Sequence, residues 1–215
     1  MRILAFDTSA SGFSVAIAEN EKLLSKKIIT ESGKQSEFLI LEIEKLLREN
    51  KIWYQDLDLI ATTNGPGSFT GTRIGLTAGR TIKLATNLPL ILINSCEAVA
   101  YKYREKSENI FVLLDARGDD FFYSYNSSEP QLARLEDLPN IFPKENFFLC
   151  GSGKTIAAEI LKKENFKFEM NESDNEIEAD LLALLAYEKF QKEMQGSENL
   201  DPIYLRAPRI SERKK

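Results

Sequence analysis

One pattern near the N-terminus returns about 108 residues later, and it limits the fold more than any other feature of the chain. Residues 1–20, "MRILAFDTSASGFSVAIAEN", read as an apolar strand, Asp7, a turn and an alternating strand. Residues 109–126, "NIFVLLDARGDDFFYSYN", repeat the order with Asp115 and an aromatic second strand. A single repeat at that distance means a duplicated lobe, because solenoid repeats are much shorter. The 215 residues leave room for two α/β lobes, each with its own core. After the first pattern come a third strand (22–30), an amphipathic helix (36–50), a strand (58–63), a helix (69–85), a buried strand (89–94) and a helix (95–105) with Ser95 as N-cap. The second copy continues with a strand, a Gly turn and a helix over 146–164, and ends on a long amphipathic helix, 176–194. The expected organisation is an N-terminal lobe 1–105, a reduced C-terminal lobe 106–195, and a segment 196–215 free to return to the first lobe.

Composition enters through what is missing. There is no histidine, which removes His-ligated metals, Ser–His–Asp triads and any His general base. A protease reading fails for the same reason, since no His is present to activate a Ser. The two cysteines, Cys96 and Cys150, are far apart in sequence and read as buried, reduced thiols of a cytoplasmic protein. The N-terminus alternates and carries Asp7, unlike a signal peptide, and no stretch is long enough to span a membrane. A net charge of −5 gives no general pull toward nucleic acid. The basic tail 206–215 is the local exception, read either as a solvated terminus or as a phosphate contact within a larger RNA-handling complex.

Three glycine-rich features invite chemical readings. "NGPGSFTG" (64–71) has Gly65 and Gly67 in dinucleotide-loop spacing, but Thr70 stands where the third glycine belongs and Pro66 lacks an N–H. "CGSGKT" (150–155) ends like a phosphate loop, yet Phe148 occupies its first glycine position; a tight strand-to-helix turn fits better, with Lys154 near the helix start. Asp7 and Asp115 either hold a nucleotide-bound Mg²⁺ in a cleft between the lobes or merely begin turns. The third feature is the ladder Gly71, Gly75, Gly79 on one face of helix 69–85. Each rung costs about 1 kcal/mol relative to Ala, so close backbone approach must return it. The ladder faces either the protein's own sheet or a helix of another subunit. We take the second as the expectation, with Phe69, Arg73, Ile74, Leu76 and Arg80 completing the contact surface.

The segments "ILAFDTSASGFSVAI", "NGPGSFTGTRIGLTAGR", "LLDARGDDFFYSY", "CGSGKT" and "DPIYLRAP" follow in an order and spacing that resemble the bacterial TsaB (YeaZ) family across nearly the whole chain. Gln35 and Leu41 stand where many members carry His and Pro. The resemblance implies two RNase-H-like lobes of the actin-like, sugar-kinase and Hsp70 ATPase superfamily, with mixed sheets flanked by helices. It also implies a non-catalytic, cytoplasmic scaffold in tRNA threonylcarbamoyladenosine (t6A) synthesis. Such a protein binds TsaD as a heterodimer, pairs with itself, helps recruit TsaE, and meets tRNA only through the complex. It needs no cofactor of its own, ATP and Mg²⁺ acting at partner subunits. Its contact surface falls on helices 36–50 and 69–85. The competing expectation is an ATP- and Mg²⁺-dependent phosphotransferase or hydrolase working through Asp7 and Asp115.

Overall fold

The computed structural model describes residues 1–171 and 177–206. The first sheet is built from β1 (Arg2–Asp7), β2 (Phe13–Glu19), β3 (Lys22–Ile29), β4 (Leu59–Thr63) and β5 (Leu90–Ile93), in the order β3-β2-β1-β4-β5. The second uses β6 (Ile110–Asp115), β7 (Asp120–Tyr125), β8 (Gln131–Arg134), β9 (Phe147–Cys150) and β10 (Phe168–Met170). Read from its other edge, its order is β8-β7-β6-β9-β10, the same topology. In both sheets three antiparallel strands lead and two parallel strands are added beside the first one. The duplication read from the two Asp-bearing hairpins is therefore present strand for strand.

Period-2 alternation decides which face of each sheet meets which helices. On the first sheet, Leu4, Phe6, Val15, Ile17 and Ile60 lie under α1 (Gln35–Glu49) and α2 (Phe69–Thr86). The opposite face carries small residues, Ala5, Ala16, Ala18 and Ala61. These admit the close packing of α6 (Ala179–Glu193) through Ala179, Ala183 and Ala186, with α3 (Ser95–Lys102) beside it. The inner face of the second sheet, including Val112, Phe122 and Phe148, closes the same cluster, so both lobes share the core around α3 and α6. Its outer face is an aromatic cluster of Phe111, Phe121, Phe142 and Phe147, covered by α4 (Leu138–Ile141) and α5 (Lys154–Lys163). α6 follows the second lobe in sequence but packs chiefly on the first sheet.

Some local expectations shift. The cap of α3 is Asn94, whose side chain accepts the Glu97 N–H, so Ser95 is the first helical residue. The acidic stretch 171–178 lies largely outside the described residues, as does the basic tail beyond Arg206. Cys96 and Cys150 are free and fully buried; burial pushes the Cys96 thiol up to about 12, and that of Cys150 upward as well.

Candidate functional site

The Asp7 turn and the start of α2 pack directly against each other. Asp7 is buried, and its Oδ1 accepts hydrogen bonds from the hydroxyls of Thr63 and Ser9 and from the Ser9 N–H. Burial pushes its carboxyl above the usual value; the Thr63 and Ser9 bonds and the Ala10 amide pull it only partly back. The residues after it fill the hollow of the glycine loop. The Ser68 N–H donates to Ser9 O, and Thr8 Oγ1 donates to Gly71 O at 2.7 Å. Gln35 is buried and donates its side-chain amide to the carbonyls of Ser11 and Gly12. At the start of α2 the Ser68 N–H is thus bonded to the Ser9 carbonyl and the Gly71 N–H to the Ser68 hydroxyl.

This contact overturns the outward glycine ladder. A Cβ on Gly71 would lie 1.9 Å from Thr8 O, and one on Gly75 would lie 2.5 Å from Thr8 Oγ1. A Cβ on Gly79 would press on Leu90 and Thr62 at 3.3 Å. The rungs exist so that α2 can lie close on β1, β4 and β5 of its own sheet. Gly71, Gly75, Gly79 and Leu76 are buried, and of the expected surface only Phe69, Arg73, Ile74 and Arg80 reach outward. Arg73 and Arg80 are engaged within the chain: Arg73 Nε donates to Tyr204 OH at 2.7 Å, and Arg80 bonds the Leu200 carbonyl.

The outward surface instead holds apolar side chains that periodicity leaves off the core stripe. In α1 the stripe is Leu39, Ile43, Leu46 and Leu47, at helical spacing. Phe38, Ile40 and Leu41 fall beside it and are exposed, Leu41 by 57%. In α2, Ile82 is buried while Leu84, two residues on, is 87% exposed. α1 and α2 pack side by side on the sheet. The glycine spacing does not point to Leu84; its offset of two residues from the buried Ile82 is the sequence signal for it.

A cleft of about 640 Å³ opens between the lobes. Its walls carry hydroxyls (Ser9, Ser11, Ser68, Thr70), the turn Asp115–Arg117, and Ile203–Arg206 from the C-terminal segment. Asp115 lies on it, exposed, accepting the Arg117 N–H. Asp7 does not line it. The two carboxylates therefore do not fit a shared Mg²⁺ clamp: one is spent inside its own turn. Lys154 is buried too, with its ammonium on the Asn171 carbonyl at 2.5 Å. Among the described residues no cluster of three Cys, Asp or Glu stands ready for a metal, and no helix is long and apolar enough to cross a membrane.

The comparisons agree with this geometry. The family model for TsaD, tRNA N6-adenosine threonylcarbamoyltransferase, matches residues 30–138. A Haemophilus influenzae protein named tRNA threonylcarbamoyladenosine biosynthesis protein TsaB is 25% identical over 228 residues, 96% of this chain and 94% of that one. YeaZ from Pseudomonas aeruginosa has the same fold, with a TM-score of 0.75 at 22% identity over 95% of this chain and 99% of its own. The ROK hexokinase of Thermus thermophilus, with a TM-score of 0.54 at 13% identity over 89% and 100% of the two chains, extends the likeness to the two-lobed sugar-kinase and actin-like fold. On these grounds the chain belongs to the TsaD family and is a TsaB (YeaZ) type member of it, a protein of tRNA threonylcarbamoyladenosine biosynthesis.

Proposed function

We propose that this protein is a non-catalytic, cytoplasmic accessory subunit of t6A synthesis, which binds a TsaD-type transferase through the outward faces of α1 and α2 and so helps to recruit the ATPase TsaE. The observation that carries the reading is the exposed apolar set Phe38, Ile40, Leu41 and Leu84 on two paired helices. Scattered exposed apolar residues are ordinary, but several on adjoining helices mark a contact surface. The occupant follows from the family match. Residues 30–138, which include both helices, match the TsaD model, so a TsaD-type protein carries counterparts of the same helix pair. Two such pairs can face each other as a four-helix contact around an apolar centre. The cleft supports an accessory role, since Asp7 is locked into its own turn rather than offered to a substrate. On this reading tRNA is met only within the complex.

Calorimetric titration of a TsaD-type transferase into the protein tests the reading. Leu41→Asp combined with Leu84→Asp should weaken binding about tenfold or more, as for central apolar anchors of an interface. An unchanged affinity overturns the surface; loss of self-association alone, with the transferase still bound, would assign it to a second copy of this chain. Titration with ATP and Mg²⁺ addresses the rival enzyme reading, for which tight binding and turnover abolished by Asp115→Ala would be required.

A further inference from the structure

After α6 the chain runs back over the first lobe. Ser197 N–H donates to Leu90 O, and Ser197 Oγ accepts the Leu92 N–H, so the segment caps the open edge of β5. Asn64 Nδ2 reaches Asp201 O, and the Ile203 N–H donates to Asn64 O at 2.8 Å. Tyr204 then packs on Phe69 with the rings tilted by 35° and their centres 5.0 Å apart, and the Arg73 guanidinium lies over the Phe69 ring at 3.7 Å. Two residues later the segment crosses to the second lobe, where Arg206 Nη1 meets Asp120 Oδ2 at 2.6 Å at the start of β7. Both side chains of that pair are at least three-quarters buried.

We propose that residues 196–206 are a clasp across the interlobe cleft, with the Arg206–Asp120 pair as its catch, and that release of the catch opens the cleft. Ile203, Tyr204, Leu205 and Arg206 form one wall of the cleft, so the clasp and the cavity share residues. The lobes are already joined by the core around α3 and α6. The clasp therefore does not decide whether the chain folds; it decides whether this wall is in place. The catch is suited to the task. A fully exposed ion pair holds little, whereas removing one partner of a largely buried pair leaves a charge that must return to water. Asp120→Asn strands the Arg206 guanidinium against the second lobe and drives the segment off. The inference does not depend on which partner the helices α1 and α2 bind.

Amide hydrogen exchange read by mass spectrometry tests it on the full chain. In Asp120→Asn, exchange should rise about threefold or more in the segment 200–206 and, together with it, in both cleft walls, 66–72 and 114–122, while β4 stays as protected as in the wild type. Tyr204→Ala, which removes the aromatic anchor without touching the second lobe, should open the same three segments. The exchanged pair Asp120→Arg with Arg206→Asp should restore protection. A rise confined to residues 203–206, no rise at all, or an exchanged pair that stays open would each overturn the clasp. Unchanged protection of β4 separates all of these from a variant that fails to fold.

Discussion

The two lobes share a strand order and differ in almost everything laid over it. In the first, two long helices, α1 and α2, cover the outer face and present unburied apolar side chains to the outside. In the second, the position of α1 is taken by the four-residue α4, and α5 has 10 residues against 18 in α2. The Asp residues at the matching turns have diverged as well. Asp7 is buried beneath three donors, while Asp115 is exposed and accepts the Arg117 amide of its own turn. Both copies hold a glycine against a backbone oxygen, at different points of the lobe: Gly71 in the first turn of α2 against the residue after β1, and Gly151 just after β9 against the interior of β6. Gly71 faces Thr8 O and Gly151 faces Leu113 O, a Cβ falling 1.9 and 2.3 Å from them. Close backbone approach is thus used in both lobes at different points, while their covering helices differ.

The sharpest way to test that comparison is to fill the two close approaches. Gly71→Ala and Gly151→Ala should each destabilise the fold by about 3 kcal/mol or more, because a backbone oxygen and not a flexible side chain stands in the way. Gly33→Ala is the control: its φ is +79° with nothing within 4 Å of the added carbon, so only the left-handed backbone cost of about 1–2 kcal/mol applies. Urea denaturation reads all three. Gly151 adds a φ of +100° to its contact, whereas Gly71 is helical, so a loss at Gly71 no larger than at Gly33 would mean that close approach does not set the need for glycine there.

The next effect separates the two carboxylates. Asp7→Ala leaves the hydroxyls of Ser9 and Thr63 without their acceptor and should cost about 2–3 kcal/mol. Asp115→Ala, at an exposed turn, should stay within about 0.5 kcal/mol. Comparable losses at the two sites would show that the second turn is as tightly determined as the first.

The comparison also explains what the sequence disclosed. Periodicity and the repeated strand–Asp–turn–strand found both sheets and placed α1 and α2 within one residue of their observed ends, since long amphipathic elements average over local noise. The short β8, α4 and β10 were not found, because three or four residues carry no period. The candidate surface was half legible. Spacing put the three glycines on one face of α2, but a face has no sign until something packs on it, and the groups that receive them, Thr8 just after β1, Thr62 in β4 and Leu90 in β5, come from separate parts of the chain. The return of the C-terminal segment rests on single residues such as Ser197, Tyr204 and Arg206, whose partners lie up to 131 positions away in sequence.

The smallest expected effect is a slope rather than a loss. Burial holds the Asp7 carboxyl above its ordinary value of 3.8, so the folded state takes up a proton at a pH where the unfolded chain does not. Stability then rises as pH falls through the folded value and levels off below the unfolded one. The carboxylates nearest in behaviour act in the opposite sense and lower down. Burial disfavours the charge on Glu178, but hydrogen bonds from Lys102 and Lys26 outweigh it and hold the group below 4.5, so its contribution is lost only under stronger acid. The two groups therefore tilt the stability curve in opposite directions. Asp7→Asn keeps the shape of the side chain and removes the titration. Its stability, measured by urea unfolding from pH 7 downward, should fall progressively behind the wild type as the solution is acidified, whatever the offset at neutral pH. Parallel curves would mean that the three donors on Asp7 Oδ1 offset the effect of burial.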